Sequence, residues 1–133
     1  MRPCLRTLTI VAVAATLVAG AGMTATWAQG EWKAPADAKN TKNPVKGVGN
    51  AKKNIETNCV TCHGPGGKGD GPAAAALPPP KPADWTSAKV QSESDGELFW
   101  KISTGRGAMP PWKHLPDKDR WEIVNYIRTL KKK

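Results

Sequence analysis

The 133-residue chain carries 20 lysines and arginines against 11 aspartates and glutamates, a formal charge of +9, and three cysteines. A chain of this length holds one small domain and has no room for a second. The positive balance suits nucleic acid, anionic lipid or an acidic protein surface as partner.

Met1 to Arg6 is a short basic start, Leu8 to Val18 is an uncharged apolar run, and small residues follow through Ala28. That order reads as a secretory signal peptide over residues 1–28, and the run falls short of the ~18–20 apolar residues of a membrane span. Cleavage fits after Thr26-Trp27-Ala28 or, earlier, at Ala19-Gly20-Ala21. An uncleaved anchor is the alternative, but nothing basic follows the run closely enough to stop transfer. The expected location is the periplasm. Export argues against nucleic acid, and the lysines, apart from Lys131-Lys132-Lys133, are scattered as on a solvated surface. Cys4 goes with the leader, so Cys59 and Cys62 are the cysteines of the processed protein. In that compartment they could close one disulfide.

Residues 29–46 are polar and lack an apolar period, which predicts a flexible N-terminal arm before a domain over 47–133. Val48, Ala51, Ile55 and the cysteine pair recur at helical spacing, predicting an amphipathic helix from Gly47 to about Asn58. From Gly64 to Pro82 the density of Gly and Pro forbids a regular element and predicts a long loop held by something beyond its own hydrogen bonds. Ser94-Asp95-Gly96-Glu97 has capping-box spacing, Leu98, Phe99 and Ile102 give an apolar face, and Gly105 is placed to end that helix. A last helix opens near Pro116-Asp117, with Asp117, Asp119 and Glu122 at its amino end and Arg128 at its carboxyl end, each sign favourable to the helix dipole. Trp121, Val124, Ile127 and Leu130 form its apolar stripe, flanked by Ile123 and Tyr126. The expected class is all-α, with three main helices, long loops and too few apolar side chains for a self-sufficient core.

Cys59-Val60-Thr61-Cys62-His63 is C-x-x-C-H, the haem attachment signature. Two cysteine sulfurs add across two vinyl groups, the two-residue spacer presents both to one porphyrin edge, and the adjacent histidine meets the iron. The expected cofactor is one haem c, covalently bound through Cys59 and Cys62. A thiol–disulfide enzyme would place C-x-x-C after a strand in a βαβ pattern, and no strand pattern is visible. A zinc cage needs four ligands, and after Cys59, Cys62 and His63 only His114 remains as a strong donor. A plain disulfide would not need His63 and would leave the Gly/Pro loop without a large object to organise it.

The sixth iron position points to Met109, the one methionine outside the leader, in the loop Arg106-Gly107-Ala108-Met109-Pro110-Pro111-Trp112 that two prolines stiffen. A lone methionine is ordinarily core filler. Here the stiff loop between two helices and the need for a second ligand favour ligation, and the thioether raises the potential relative to a second histidine. His114 is expected at the surface. A ligating histidine commonly donates its free ring N–H to a carbonyl, and Pro72, shortly after His63, could supply it. Trp85 and Arg106 could hydrogen-bond a propionate; the alternatives are that Trp85 simply packs and Arg106 simply faces water.

The run Asn58-Cys59-Val60-Thr61-Cys62-His63-Gly64, the Gly69-Asp70-Gly71-Pro72 loop, Gly105 to Pro111 and the closing Trp121 to Leu130 helix resemble class I cytochromes c, and most of all the short mono-haem modules that also occur in the diheme subunit of cbb3-type oxidases. The resemblance spans about Gly47 to Leu130. It implies a class I cytochrome c fold around one haem, a close crossing of first and last helices near Ala51, Ile55, Ile123 and Tyr126, and His63 and Met109 as axial ligands. A covalently held haem with both axial positions filled suits a single-electron carrier more than an enzyme, since catalysis needs an open site. The expected function is a periplasmic, monomeric shuttle between respiratory or dehydrogenase partners with acidic docking surfaces, without stable membrane insertion. The alternative is an electron-transfer subunit fixed in an oxidoreductase complex.

Overall fold

The computed structural model describes residues 30–132, so the expected leader lies outside the described residues. Six helices follow in chain order: α1 Ala36–Asn40, α2 Ala51–Asn58, α3 Val60–His63, α4 Ala88–Gln91, α5 Asp95–Thr104 and α6 Asp117–Thr129. Among the described residues there is no strand, only an isolated antiparallel bridge between Arg106 and Met109, and no helix is long and apolar enough to cross a membrane.

The two helices with end signals in the sequence, α5 and α6, form where those signals stand. Ser94 Oγ accepts the Glu97 N–H at 3.2 Å and the Glu97 carboxylate accepts the Ser94 N–H at 2.7 Å, so two of the amino-end donors of α5 are satisfied reciprocally. The Ser94 backbone donor is the main reason the Glu97 carboxyl lies below its ordinary pKa. Gly105, at φ +63, takes the chain out of α5 through a backbone conformation that suits glycine. Pro116 stands immediately before α6, and Asp117 and Asp119 occupy its first turn. Its stripe turns inward: Trp121, Ile123, Val124 and Ile127 are buried, with Ala51 and Ile55 of α2 and Leu98 and Ile102 of α5 against them. Thus α6 packs on both α2 and α5, and Tyr126 is half-buried at the edge of that contact.

Two local readings are corrected, the start of the first helix and the arm, and two details are added. The first helix begins at Ala51, because Gly47 at φ +78 and Gly49 at φ +32 hold the preceding residues outside helical geometry, and Val48 is exposed. It ends at Asn58, as expected, and Cys59, at φ −119, separates it from α3. The arm carries α1, which packs on α5, and is fastened to α6 by side-chain amides: Asn43 Nδ2 donates to Asn125 Oδ1 at 2.8 Å, and Asn125 Nδ2 donates to the carbonyls of Val45 (3.0 Å) and Gly47 (2.7 Å). Such bonds have no period and leave no mark in a hydrophobic pattern. The short α4, capped by Ser87 Oγ, was likewise not signalled.

Arg128 does more than complement a helix end. Its Nε meets Asp95 Oδ1 at 2.8 Å, and its terminal nitrogens donate to the carbonyls of Gln91 and Glu93, so one guanidinium fastens the α4–α5 junction to α6.

Candidate functional site

The cysteine turn is shaped by the loop behind it. Glycine is required at position 71, where a Cβ would lie 2.5 Å from the carbonyl oxygens of both Val60 and Thr61. With no side chain in the way, Gly71 donates to Cys62 O at 3.1 Å and Ala73 donates to Thr61 O at 3.0 Å, while Gly69 donates to His63 O at 2.9 Å. The Gly/Pro loop is therefore laid across the carbonyl end of α3, whose last C=O groups it satisfies. Farther on, Lys81 Nζ donates to the carbonyls of Ala74 (3.1 Å), Ala75 (2.8 Å) and Leu77 (2.6 Å), gathering the loop around one ammonium.

The same loop then delivers two contacts to His63. Its Nδ1 lies 3.2 Å from the Ala83 carbonyl, so the tautomer that donates there leaves Nε2 as the basic nitrogen. Its ring stacks on the Trp85 indole, with centroids 4.5 Å apart and planes inclined by 25°. Burial pushes the His63 pKa down, against a smaller upward effect of the Ala83 bond, which keeps the imidazole neutral and able to ligate. The expected carbonyl acceptor, Pro72, is thus replaced by Ala83. Gly71 and Ala73 on either side of Pro72 are bonded to the back of the cysteine turn, and Pro72 itself is exposed and does not border the cavity described next.

A cavity of about 470 Å³ brings Cys59, Cys62, His63 and Met109 together. Its apolar walls include Leu98 and Ile102 of α5 and Ile123 and Ile127 of α6. Met109 reaches it from a loop clasped by reciprocal backbone bonds, Arg106 N to Met109 O at 2.9 Å and Met109 N to Arg106 O at 3.0 Å, and tacked to α5 by Trp112 N–H on Ile102 O at 3.1 Å. Trp85 also borders the cavity and is only 7 % exposed. Arg106 is at the rim, where its guanidinium donates to the Gly30 carbonyl at 2.8 Å and holds the segment bearing Trp32 beside the opening. His114 is exposed and tilted against Trp112, away from the cavity lining.

Cys59 and Cys62 form no disulfide with each other, and burial, with a smaller contribution from Cys62, pushes the Cys59 thiol up to about 11. A thiol that resists ionisation is a poor nucleophile for disulfide exchange. Among the described residues no three or more His, Cys, Asp or Glu side chains cluster as a zinc cage would require. The donor set instead fits a haem: two unpaired thiols, one neutral imidazole with its second nitrogen spoken for, one thioether, and apolar walls around them. Sequence reasoning missed Ala83, Lys81 and Trp32, which act through a carbonyl, an ammonium among carbonyls and a rim contact.

The sequence profile of the family described as cytochrome c oxidase, cbb3-type, subunit III matches residues 47–127. Among solved structures, a chain of the Kuenenia stuttgartiensis reducing HAO-like protein complex Kustc0457/Kustc0458 superposes with a TM-score of 0.58 at 30% identity, over 74% of this chain and 50% of that one. The present chain therefore spans half the length of that neighbour. The KustC0563 c-type cytochrome superposes with a TM-score of 0.51 at 26% identity, over 62% of this chain and 98% of that one. No curated protein matches the sequence.

Proposed function

We propose, because the chain belongs to the family of the cbb3-type cytochrome c oxidase subunit III, that it is a periplasmic one-electron carrier with a single haem c joined to Cys59 and Cys62 and ligated by His63 and Met109. Membership makes the protein a class I cytochrome c with an all-α fold, and electron transfer the business of its domain. The bound haem supplies a one-electron ferric–ferrous couple. The observation that carries the finer reading is that two thiols, one imidazole and one thioether border a single cavity.

Each residue has a separate task. Cys59 and Cys62 tether, so the group cannot leave when its charge changes. His63 presents Nε2 because Nδ1 is directed to Ala83. Met109 is held by a clasped loop, which limits movement between oxidation states and lowers the reorganisation that slows electron transfer. The apolar walls exclude water, and with the thioether they favour the less charged ferrous state.

Purified protein from cells able to mature such cytochromes should show an intact mass raised by one haem, with the leader removed. Its ferric spectrum should be low-spin and carry the weak near-infrared band of a thioether–iron bond. A high-spin ferric spectrum lacking that band would overturn the Met109 assignment and favour an open iron.

The likeness to a chain of a HAO-like complex favours a second reading, in which the protein is an electron-transfer subunit of a larger assembly. Size-exclusion of cell extracts separates the two, since a free carrier elutes near its own mass and a subunit travels with a catalytic chain. For the free carrier, acidic partner surfaces would meet cations such as exposed Lys89 at the cavity rim. The rate of reduction by such a partner should then fall as salt rises.

A further inference from the structure

We infer that Trp85 is a positioning residue for His63, with its indole fixing the plane of the imidazole, and that Gln91, at the end of α4, ties the Trp85 backbone to α6. The inference rests on the reading of His63 as an iron ligand.

The hydrogen bond from Nδ1 to Ala83 restrains one point of the His63 ring, and at 3.2 Å it is at the long end for such a bond. A ring held at one atom can still tilt about its bond to Cβ. The indole face at a centroid distance of 4.5 Å and an inclination of 25° closes that freedom on one side, because tilting toward it brings ring atoms into overlap. Orientation of a ligating imidazole governs how its π electrons overlap the iron orbitals. A fixed plane therefore has an electronic consequence as well as a mechanical one.

For such a restraint to work, Trp85 must itself be immobile, and three contacts make it so. Its N–H donates to Gly67 O at 2.7 Å, a strong backbone bond. Its ring lies against Gly67, where a Cβ would come within 2.5 Å of Trp85 Cε3, so only glycine leaves space for the indole. Its carbonyl accepts from Gln91 Nε2 at 2.7 Å, and the same amide nitrogen donates to Ile127 O at 2.9 Å. One carboxamide thereby bridges the His63 support to α6. The acceptor end of that carboxamide, Gln91 Oε1, is buried without a hydrogen-bond partner. A buried unpaired acceptor is costly, and an apolar side chain such as leucine would avoid it. Retaining an amide here is accounted for by the two carbonyls that its nitrogen joins.

The test compares Trp85→Phe, Trp85→Leu and Gln91→Leu in the haem-loaded protein, reading the ferric electron paramagnetic resonance spectrum, the reduction potential and thermal melting. Trp85→Phe keeps an aromatic face and is expected to preserve the wild-type g values. Trp85→Leu is expected to shift the largest g value and the potential while the iron stays low-spin, and Gln91→Leu to shift both in the same direction by less. Wild-type g values and potential in Trp85→Leu, with only the melting temperature lowered, would overturn the inference and leave Trp85 as core filler. If Trp85→Leu is not matured, Gln91→Leu decides alone, since unchanged spectra there sever the proposed link to α6. A wild-type protein without a low-spin signal would instead sink the assignment of the axial ligands, a different failure.

Discussion

The cysteine motif can be read from sequence because covalent attachment demands fixed residue types at fixed spacing: Cys59, Cys62 and His63 have no freedom to lie elsewhere. Met109 is legible for a weaker reason, as the one methionine of the domain in a proline-stiffened loop. Met109→Ala is expected to lower the reduction potential and to give the ferric protein affinity for imidazole or cyanide, measured by redox titration and by spectral change on adding ligand. If neither changes, another side chain completes the coordination. The partner of His63 Nδ1 was not legible. Every residue has a carbonyl, so nothing in the sequence distinguishes Ala83 from Pro72, and only the path of the loop decides. Arg106 illustrates the same limit, since its acceptor is the Gly30 backbone, far away in the chain.

At the level of helices, both ends of α5 and the start of α6 were legible, whereas the start of α2 and the whole of α1 and α4 were not. The box at Ser94 and Glu97 predicts the start of α5 to the residue, whereas the start of α2 has no capping side chain of its own. Its amino end is served from α6: the Asn50 N–H donates to Glu122 Oε2 at 2.7 Å, and Lys118 pairs with the same carboxylate. The Lys118 ammonium first, and the Asn50 N–H second, hold Glu122 below its ordinary value of 4.5. A depressed carboxylate contributes stability that is complete above 4.5 and is lost as pH falls through its lower folded-state value. Acid titration of the wild type should show this loss, and Glu122→Gln should flatten that limb. Glu122→Ala is expected to cost about 1.5–3 kcal/mol at neutral pH, the range for a hydrogen bond to a charged group, as read by urea unfolding. The loop side of the site has its own test. Gly71→Ala forces a methyl against two carbonyls of the cysteine turn and is expected to cost about 1–3 kcal/mol, with reduced haem incorporation, whereas a change confined to exposed Lys68 should do neither.

Over the whole molecule, composition anticipated a core too thin to stand alone, and the arrangement explains why. Residues of α5 and α6 divide their apolar surface between contact with one another and the walls of the 470 Å³ cavity. The protein is thus expected to depend on its prosthetic group for cooperative folding: Cys59→Ser with Cys62→Ser should broaden the thermal transition and lower the helical circular dichroism signal. A sharp wild-type melt in that double variant would show that the helices suffice. Low periodicity hid α1 and α4: α1 is held by contacts from α5, and α4 by the bonds of Gln91 to Ile127 O and of Arg128 to Gln91 O. Lys81 adds a point about surface chemistry. Its ammonium is already engaged by three main-chain oxygens, so counting it among charges offered to a visiting protein would overstate the pull of that rim. Brief treatment with an amine-acylating reagent should tag Lys89 quickly and Lys81 slowly, and forced acylation of Lys81 should open the polyalanine–proline segment to protease.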